Sequence, residues 1–464
     1  MEIREALSYD DVLLVPQRST VNSRQEVDLT SKLSTNITLK LPFVTAPMDT
    51  VCEYQMAITM AQLGAFGIIH RGLSLEKQVE QVERVKRSEN IVIEKPYAVK
   101  PFDTLKQAKL VMTEKNVTGL VVTENTGTLT GLLTHRDLLF QENDEVLVKD
   151  VMNKSFISAK PGLQLEEYIQ IMKENKVEKL PLVADGKLAG LVTAKDILKK
   201  REHPNATRDK KGRLQCGAAI GMRSELKERL KALYEAEVDL ILVDIAHGHL
   251  QKYLDVVTQI KKDYGDAFDL MGGNVATRKG AEDLARAKVD AIRCGVGPGA
   301  ACVTRVVTGC GVPQLTAVID CVSGAEGIPV NADGGIKEPG DAMKALAAGA
   351  STVMCGQLFA GTTESPGRVI FKNGKRYKEY RGQASYAALK DLGLEDKRSP
   401  EGVEATVPFK GPVKDILDYY LGGIRSGFSY CNAHTIEELW QNAQFVKMTA
   451  AGMRESKPHD INVT

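Results

Sequence analysis

Short apolar runs alternate with amphipathic helical segments along most of this 464-residue chain. The apolar runs have the length of buried strands, and amphipathic segments lie between most of them. Eight strand–helix units of this kind predict a (β/α)8 TIM barrel, and an open, doubly wound parallel sheet is the alternative from the pattern alone. The eight runs are residues 43–46, 65–69, 217–220, 240–244, 268–271, 291–293, 329–332 and 352–354.

An internal repeat interrupts this alternation at residues 92–204. Gly131-Leu-Leu-Thr-His-Arg-Asp137 in the first copy corresponds to Gly190-Leu-Val-Thr-Ala-Lys-Asp196 in the second. Each copy predicts a helix, two strands and a further helix. Two copies are too few for a solenoid, so they predict one compact paired module, with a merely structural insertion as the alternative. The barrel would then be divided between residues 1–91 and 205–464.

A polar, glycine-containing stretch follows the eighth run, at residues 361–410. It is too long for an ordinary connection between two elements. In a barrel it would leave the last strand on the face where active sites form, so we predict a lid or flap.

Composition and charge exclude several classes of protein. The chain has 61 Lys and Arg against 60 Asp and Glu, so no polycationic surface for nucleic acid or anionic membrane is expected. Its apolar runs are far shorter than the roughly 20 residues of a membrane span, and its N-terminus does not resemble a signal peptide. The eight cysteines are sparse and form no CxxC motif, which indicates a reducing compartment. We therefore expect a cytoplasmic protein with no nucleic-acid or membrane partner.

Glycines follow the predicted strands seven and eight, where TIM barrels often bind phosphate. Gly334, Gly335 and Gly356 would let backbone N–H groups approach phosphate oxygens closely. Asp333 would accept hydrogen bonds from ribose hydroxyls. For either segment alone, glycine serving only to form a turn is the alternative.

The loop after the sixth predicted strand has few side chains and ends at a cysteine. Gly295, Gly297 and Gly299 alternate with other residues, so backbone carbonyls could surround a small ligand or an ion. Cys302 closes the loop, and a thiolate there would be a strong nucleophile if nearby groups lower its pKa. Thr304, two residues later, could lie beside the same substrate atom.

Asp244 ends the fourth predicted strand, where a carboxylate suits a hydroxyl-rich ligand such as a nicotinamide ribose. His247 and His249 raise the alternative of a metal site, but no third His or second carboxylate stands close by in the sequence. No GxGxxG motif opens a helix after a strand, so a Rossmann dinucleotide domain is not supported.

Taken together, these motifs resemble the IMP dehydrogenase / GMP reductase family over nearly the whole chain. The resemblance implies a (β/α)8 barrel, usually in a homotetramer or octamer, in which Cys302 attacks C2 of a purine nucleotide, GMP or IMP. The matching segments are Gly295-Val-Gly-Pro-Gly-Ala-Ala-Cys302-Val-Thr-Arg305, Ala46-Pro-Met-Asp-Thr50, Gly273-Asn-Val275, Asp333-Gly-Gly335, Tyr380-Arg-Gly382 and Glu401-Gly402.

The resemblance also implies binding roles for other positions. Ala300 and Gln357 stand where family members often have Ser, which implies that backbone groups hold more of the phosphate. The nucleotide-binding positions are Met48, Asp333, Gly334, Gly335, Gly356, Gln357, Tyr380, Gly382 and Gln383. The positions for the nicotinamide cofactor are Asp244, Ala246, Gly248 and Gly295, and those for backbone ligands of K⁺ are Gly297, Gly299 and Cys302.

The central repeats resemble paired CBS domains. Thr134 and Asp137 in the first copy, and Thr193 and Asp196 in the second, match the family's adenosine-ribose contacts. The resemblance therefore implies a regulatory module that binds ATP or GTP.

The two branches of the family share a covalent thioimidate intermediate on the cysteine. The dehydrogenase forms it by hydride transfer from IMP to NAD, and hydrolyses it with a water that an Arg–Tyr pair on a long flap activates. The reductase forms it by expelling ammonia from GMP, accepts a hydride from NADPH, and needs a Thr–Glu pair for proton transfer.

The flap favours the reductase here. Within the flap, the segment 385–401 is short, and neither its Tyr386 nor its Arg398 belongs to an adjacent Arg-Tyr pair. A hydrolysis step without its general base would lose roughly 10²–10⁴-fold in rate. Thr304 and Glu401, which the reductase needs, are present as catalytic candidates alongside the cysteine.

Other features divide between the branches. Residues 244–248 resemble the reductase form, whereas residues 46–50 and the CBS-like pair resemble the dehydrogenase. Because the chemistry weighs more than the architecture, the sequence predicts NADPH-dependent reductive deamination of GMP to IMP. The alternative is an IMP dehydrogenase that oxidises IMP to XMP with NAD. A nucleotide-sensing module with an inactive barrel is a third possibility, which the intact Cys302 disfavours.

Overall fold

The structure is a computed structural model of the chain. It describes residues 3–89, 92–163, 165–391 and 399–458, except for the side chains of residues 196, 199 and 200. Part of the predicted flap, residues 392–398 with Arg398, lies outside the described residues.

The chain divides into two compact units. The larger unit comprises Met1–Ser88, Asn205–Asp209 and Leu214–Thr464, and the smaller comprises Glu89–Pro204 and Lys210–Arg213.

The larger unit contains a parallel eight-stranded sheet that closes into a barrel. Each strand pairs with the next from β2 to β8, and β8 pairs with β1. Phe66 closes the ring, because its N–H donates to the carbonyl of Phe43 (3.1 Å) and its carbonyl accepts the N–H of Thr45 (3.0 Å). The predicted barrel is therefore confirmed, and the open sheet is wrong. The strands are β1 (Phe43–Thr45), β2 (Ile68–Ile69), β3 (Gly217–Ile220), β4 (Leu240–Asp244), β5 (Asp269–Val275), β6 (Ala291–Cys294), β7 (Val330–Asp333) and β8 (Thr352–Cys355).

One main helix follows each strand along the chain. In α5, the side chain of Thr277 caps the first turn by accepting the N–H of Gly280, and Ala281 and Leu284 face inward and are buried. The same division into a buried and an exposed face explains the amphipathic pattern of the sequence. The helices are α1 (Tyr54–Gln62), α2 (Leu75–Ser88), α3 (Leu226–Glu235), α4 (Gln251–Tyr264), α5 (Arg278–Arg286), α6 (Gln314–Gly324), α7 (Pro339–Ala347) and α8 (Val413–Tyr430).

Alternation along the strands produces two apolar layers. Leu240 and Leu242 of β4 belong to the cluster inside the barrel, whereas Ile241 and Val243 pack in the layer between strands and helices. Because both faces of these strands are buried, their sequences are continuous apolar runs. For this reason the strands could be predicted from the sequence.

Smaller elements complete the larger unit. A three-stranded antiparallel sheet lies within the stretch predicted as a lid, and it consists of Ile370–Lys372, Lys375–Arg381 and Glu404–Pro408. Two short antiparallel pairs join Val12–Leu14 with Phe445–Lys447 and Ser31–Lys32 with Thr38–Leu39. The short helices are Tyr9–Asp11 and Arg24–Glu26 (both 3₁₀), Thr304–Thr308, Tyr386–Asp391, Ile436–Asn442 and Ala450–Glu455.

The smaller unit contains both copies of the repeat, each with the predicted order of helix, strand, strand and helix. The first copy consists of strand Ala98–Val99, helix Leu105–Lys115, strands Gly119–Thr123 and Leu129–Thr134, and helices His135–Leu138 and Val148–Val151. The second consists of helix Leu165–Asn175, strands Lys179–Ala184 and Lys187–Thr193, and helix Ala194–Glu202. Within the described ranges, no helix of either unit combines the length and apolar character needed to span a membrane.

Candidate active site

A cleft of about 1270 Å³, measured with its open mouth, lies at the carboxyl ends of the barrel strands. Gly248 is buried beside it rather than on its wall, because its N–H donates to Asn274 O (2.8 Å) and a Cβ there would meet Gly273. The other predicted barrel-site residues all line the cleft: Met48, Asp244, Ala246, Gly295, Gly297, Gly299, Cys302, Thr304, Asp333, Gly334, Gly335, Gly356, Gln357, Tyr380, Gly382, Gln383 and Glu401.

Three side chains form a hydrogen-bonded line on one wall of the cleft. The thiol of Cys302 donates to Thr304 Oγ1 (3.2 Å), and the hydroxyl of Thr304 donates to Glu401 Oε2 (2.7 Å). Each donor points toward the next acceptor, so the line ends on a carboxylate. This arrangement can move a proton from the sulfur, or from a molecule beside Thr304, toward Glu401.

Local backbone contacts position these three groups. A turn places Cys302, because its N–H donates to Gly299 O (2.9 Å). Glu401 returns from the flap, where its carbonyl accepts the N–H of Val303 (2.9 Å) and its own N–H donates to Ala384 O (2.9 Å). The flap is therefore joined directly to the loop that bears Cys302.

A buried guanidinium joins two carboxylates at the strand ends. Arg293 donates from Nη1 to Asp244 Oδ1 (2.6 Å) and from Nε to Asp333 Oδ2 (2.9 Å). Arg71 Nε donates to Asp244 Oδ2 (2.8 Å), and Asn274 Nδ2 donates to Asp333 Oδ2 (2.9 Å). Burial alone would raise the pKa of Asp244, but the two guanidinium groups hold that pKa below its ordinary value. Asp244 therefore faces the cleft as an anion.

The sequence analysis assigned no role to Arg71, Arg293 or Asn274. One signal could have found Arg293, since it lies inside an apolar run that forms a strand buried on both faces. A charge in such a place requires a partner of opposite charge. Arg71 lies two residues after β2, and 173 positions separate it from Asp244, so the sequence alone did not pair them.

Backbone geometry explains the glycines that follow β7 and β8. Gly334 and Gly335 have φ angles of +89° and +81°, a conformation that side chains other than glycine rarely adopt. A Cβ on Gly356 would lie 2.9 Å from Met48 Sδ and 3.3 Å from Tyr380 Oη. The cleft thus presents bare backbone here, and a ligand can approach it closely.

The segment that follows Tyr380 is fastened to the loop after β1. Arg381 Nε donates to Asp49 Oδ2 (2.8 Å), and Arg381 Nη2 donates to Asp391 Oδ2 (2.7 Å) in helix Tyr386–Asp391. Gln383 Nε2 also donates to the carbonyl of Pro47. Burial raises the pKa of Tyr380, so its hydroxyl remains a hydrogen-bond donor at neutral pH.

The loop after β6 folds around one arginine. Arg305 donates from Nε to Val296 O (3.2 Å) and from Nη2 to Val312 O (2.6 Å). Gly297 has φ +85°, and a Cβ there would lie 2.5 Å from Arg305 Cγ. The carbonyl of Gly299 accepts the N–H of Cys302, and its second lone pair suits a cation ligand.

The two histidines near Asp244 do not turn toward its carboxylate. His249 Nε2 lies 2.9 Å from Asp283 Oδ2, and the rings of His247 and His249 pack edge to face. In the described part of the chain, no group of three His, Cys, Asp or Glu side chains is suited to hold a metal ion.

The structure is thus a closed (β/α)8 barrel whose strand ends carry Cys302 and the carboxylates of Asp244 and Asp333. The chain belongs to the IMP dehydrogenase / GMP reductase family, because the family model described as "IMP dehydrogenase / GMP reductase domain" matches residues 6–459. The predicted family is therefore confirmed, and a nicotinamide cofactor follows from it.

Relatives from both branches of the family resemble the chain. The inosine-5'-monophosphate dehydrogenase of Nitrosopumilus maritimus (strain SCM1) is 50% identical and covers 99% of each chain. That of Aquifex aeolicus (strain VF5) is 46% identical and covers 100% of this chain and 97% of the relative. A solved structure of a cysteine-to-alanine variant of GMP reductase from Trypanosoma brucei, in complex with guanosine 5'-monophosphate, is similar with a TM-score of 0.94 and 40% identity, covering 99% of each chain.

The expectation that the chain deaminates GMP with NADPH is wrong. Curated relatives at 44–50% identity over essentially the whole chain are named IMP dehydrogenases. The expectation rested on the sequence of the flap, which is a small part of the chain. The similarity to the IMP dehydrogenases extends over the entire barrel. Thr304 and Glu401 did not discriminate either, since a base beside Cys302 serves hydrolysis as well as deamination.

Proposed function

We propose that this chain oxidises IMP to XMP, with NAD as hydride acceptor and water as the source of the new oxygen. The observation that supports the proposal most strongly is the 50% identity, along the whole chain, to the IMP dehydrogenase of Nitrosopumilus maritimus. The geometry of the cleft is consistent with this reaction, because it combines a nucleophile, a base and anionic ribose sites.

In the proposed reaction, Cys302 attacks C2 of the hypoxanthine ring. Its thiol proton moves through Thr304 to Glu401, along the hydrogen bonds that already point in that direction. NAD, when bound, accepts the hydride that leaves C2, and the nucleotide remains attached to the sulfur as a thioimidate. Asp244 and Ala246, at the wall of the cleft, fit the nicotinamide ribose.

The nucleotide would lie across β7 and β8. Asp333, held by Arg293 and Asn274, would accept the ribose hydroxyls. The bare backbone at Gly335 and Gly356 would bind the phosphate, while Met48, Gln357, Tyr380 and Gln383 enclose the rest.

The same Thr304–Glu401 pair is our candidate for activating water. No Arg-Tyr dipeptide occurs in the flap segment 385–401, so in this proposal another base accepts the water's proton. After NADH departs, Glu401 can release its proton to solvent and accept a new one through Thr304 as water attacks the thioimidate. One side-chain pair would then serve both half-reactions in turn.

Two further ligands complete the proposal. Backbone carbonyls of Gly297, Gly299 and Cys302 would bind K⁺, a cation that prefers oxygen ligands. The chain would also assemble into a homotetramer or octamer, as the family resemblance implies.

The repeats at residues 92–204 would form a CBS module that binds ATP or GTP. Asp137 Oδ2 accepts both the N–H and the hydroxyl of Thr134 (2.7 Å each), at the junction of a strand and a helix. Thr193 holds the equivalent place in the second copy, and the side chain of Asp196 lies outside the described residues.

A nicotinamide absorbance assay tests the proposed activity. We expect NADH to form when IMP and NAD are present together, and the Cys302→Ala variant to form none. Oxidation of NADPH with GMP, without NADH formation from IMP, would contradict the proposal.

A further inference from the structure

Lys410 lies where the returning flap strand meets the turn after β8. It follows strand Glu404–Pro408 by two residues. Its ammonium group donates to the carbonyls of Gln357 (2.6 Å) and Leu358 (3.0 Å), and its backbone N–H donates to Gly361 O (2.9 Å). Lys410 therefore binds three backbone carbonyls in this segment, those of Gln357, Leu358 and Gly361.

The opposite end of this turn faces the cleft. The N–H groups of Phe359 (3.1 Å) and Ala360 (2.9 Å) both donate to Gly356 O, so residues 356–360 form a single helical turn. Gly356 and Gln357 line the cleft, and the carbonyls of Gln357 and Leu358 accept the hydrogen bonds of Lys410. Peptide dipoles favour a cation at the carbonyl end of such a turn and an anion at its amide end.

The ammonium group of Lys410 binds backbone carbonyls and not an acidic side chain among the described residues. Among the described residues, no carboxylate lies within ion-pair distance of its ammonium group, which contacts carbonyl oxygens only. The charged groups on neighbouring elements are engaged elsewhere: Glu364 with the N–H of Val413, Lys378 with the carbonyl of Ser365, Arg376 over the ring of Phe409, and Lys414 with Asp418.

We infer that Lys410 is a positioning residue that holds the turn after β8 in the conformation that binds the nucleotide's phosphate. The inference rests on the proposed function for the location of that phosphate. It also connects the flap to the nucleotide, because strand Glu404–Pro408 pairs with the strand that bears Tyr380. Fixing this turn sets the affinity for the nucleotide and leaves the chemical step unchanged.

The charge on Lys410 makes this effect sensitive to pH. Burial lowers the pKa of Lys410 to about 8, so the free enzyme holds a charged ammonium below that pH and a neutral amine above it. A bound phosphate dianion favours the charged form. Nucleotide binding at pH 8 should therefore be accompanied by uptake of a proton.

Steady-state kinetics and calorimetry of the full chain test the inference. In Lys410→Met, we expect KM for IMP to rise roughly 10- to 100-fold, the size expected for losing hydrogen bonds from a charged group. At saturating IMP, kcat should stay within about threefold. Lys410→Arg should recover most of the affinity, and Lys414→Met, an exposed ion-paired lysine on α8, serves as the matched control.

Calorimetric titration with IMP at pH 8, in two buffers of different ionisation enthalpy, measures proton uptake without requiring turnover. Uptake by the wild type that is reduced in Lys410→Met supports the inference, even if IMP proves not to be oxidised. An unchanged KM and unchanged proton uptake in Lys410→Met would overturn it. A parallel loss of kcat in Lys410→Met that Lys410→Arg does not restore would also overturn it. If Lys410→Met does not fold, the inference is tested by the proton uptake of the wild type and by the KM for IMP of Lys410→Arg.

Discussion

Thr304 Oγ1 lies 2.7 Å from Glu401 Oε2, although 97 positions separate the two residues. Thr304 begins a short helix after β6, and Glu401 returns from the flap after β8. The backbone bridge between Cys302 and Gly402 holds the two segments together. The base of the proposed reaction therefore reaches the nucleophile only when the flap is seated against the loop after β6.

Replacing the nucleophile should separate binding from chemistry. Cys302→Ala removes the sulfur but leaves the carboxylates and the glycine backbone that bind the nucleotide. We expect NADH formation to disappear while calorimetry still detects IMP binding. If the variant retains more than a few per cent of the wild-type rate, Cys302 is not the nucleophile.

Glu401→Gln should slow both hydride transfer and hydrolysis, because the proposed reaction uses the same carboxylate as the base in each half-reaction. The amide cannot accept a proton from Thr304, and loss of a general base costs roughly 10²-fold or more. Rapid mixing should therefore show slow NADH formation from the first turnover onward, without a burst. Glu379→Gln, on an exposed face of the flap sheet, provides a matched control. Loss of IMP binding in Glu401→Gln would identify the residue as a ligand contact instead.

The pH dependence of NAD use should respond to Arg71. Its guanidinium helps to keep the pKa of Asp244 below its ordinary value, so Arg71→Gln raises that pKa. Because protonated Asp244 cannot accept ribose hydroxyls, the acid limb of kcat/KM for NAD should move to higher pH. The exposed Arg84, which pairs with Glu80, is the control position. Superimposable pH profiles for Arg71→Gln and wild type would refute this role for Asp244.

The two ion pairs of Arg381 should contribute unequally to the affinity for IMP. Asp49 accepts two donors from it and is half-buried, whereas Asp391 is mostly exposed, and exposed pairs contribute about 0–1 kcal/mol. We expect Asp49→Asn to raise KM for IMP clearly and Asp391→Asn to change it less than about fivefold. Steady-state kinetics of the two variants compare them directly, and equal effects would show that the exposed pair also fixes the substrate loop.

A single substitution in the smaller unit should remove regulation. Asp137→Ala in the full chain breaks the contact with Thr134 at the strand–helix junction. We expect any response of the activity to ATP or GTP to be lost while basal turnover stays within about twofold, since a ligand acts only through differential affinity for two states. Asp144→Ala, in an exposed pair with Lys109, is the control. A full response in Asp137→Ala would place the effector site elsewhere.

The barrel could be predicted from the sequence because its strands are buried on both faces. The limits of β4, residues 240–244, agree with the structure, whereas β5 extends to Val275 through glycines and an asparagine that no apolar pattern marks. The flap sheet escaped prediction because strand Lys375–Arg381 is mostly polar, with only Lys378 and Tyr380 buried.

The site was predictable where glycines and a cysteine follow strands in the sequence, but its electrostatics were not. Arg293 joins Asp244 to Asp333 across three different strands, and such pairing depends on barrel closure rather than on local pattern. The predicted branch of the family was wrong because too much weight was given to local sequence. A local motif, the missing Arg-Tyr pair, was given more weight than the full length of the chain.

The most direct test of the account is the fate of solvent oxygen during turnover of IMP. With IMP and NAD in water enriched in oxygen-18, mass spectrometry of the product should show XMP that contains one labelled oxygen, formed in equal amount to NADH. This result requires oxidation at C2 followed by hydrolysis of the Cys302 adduct. Failure to form labelled XMP, with conversion of GMP to IMP at the expense of NADPH, would contradict the account.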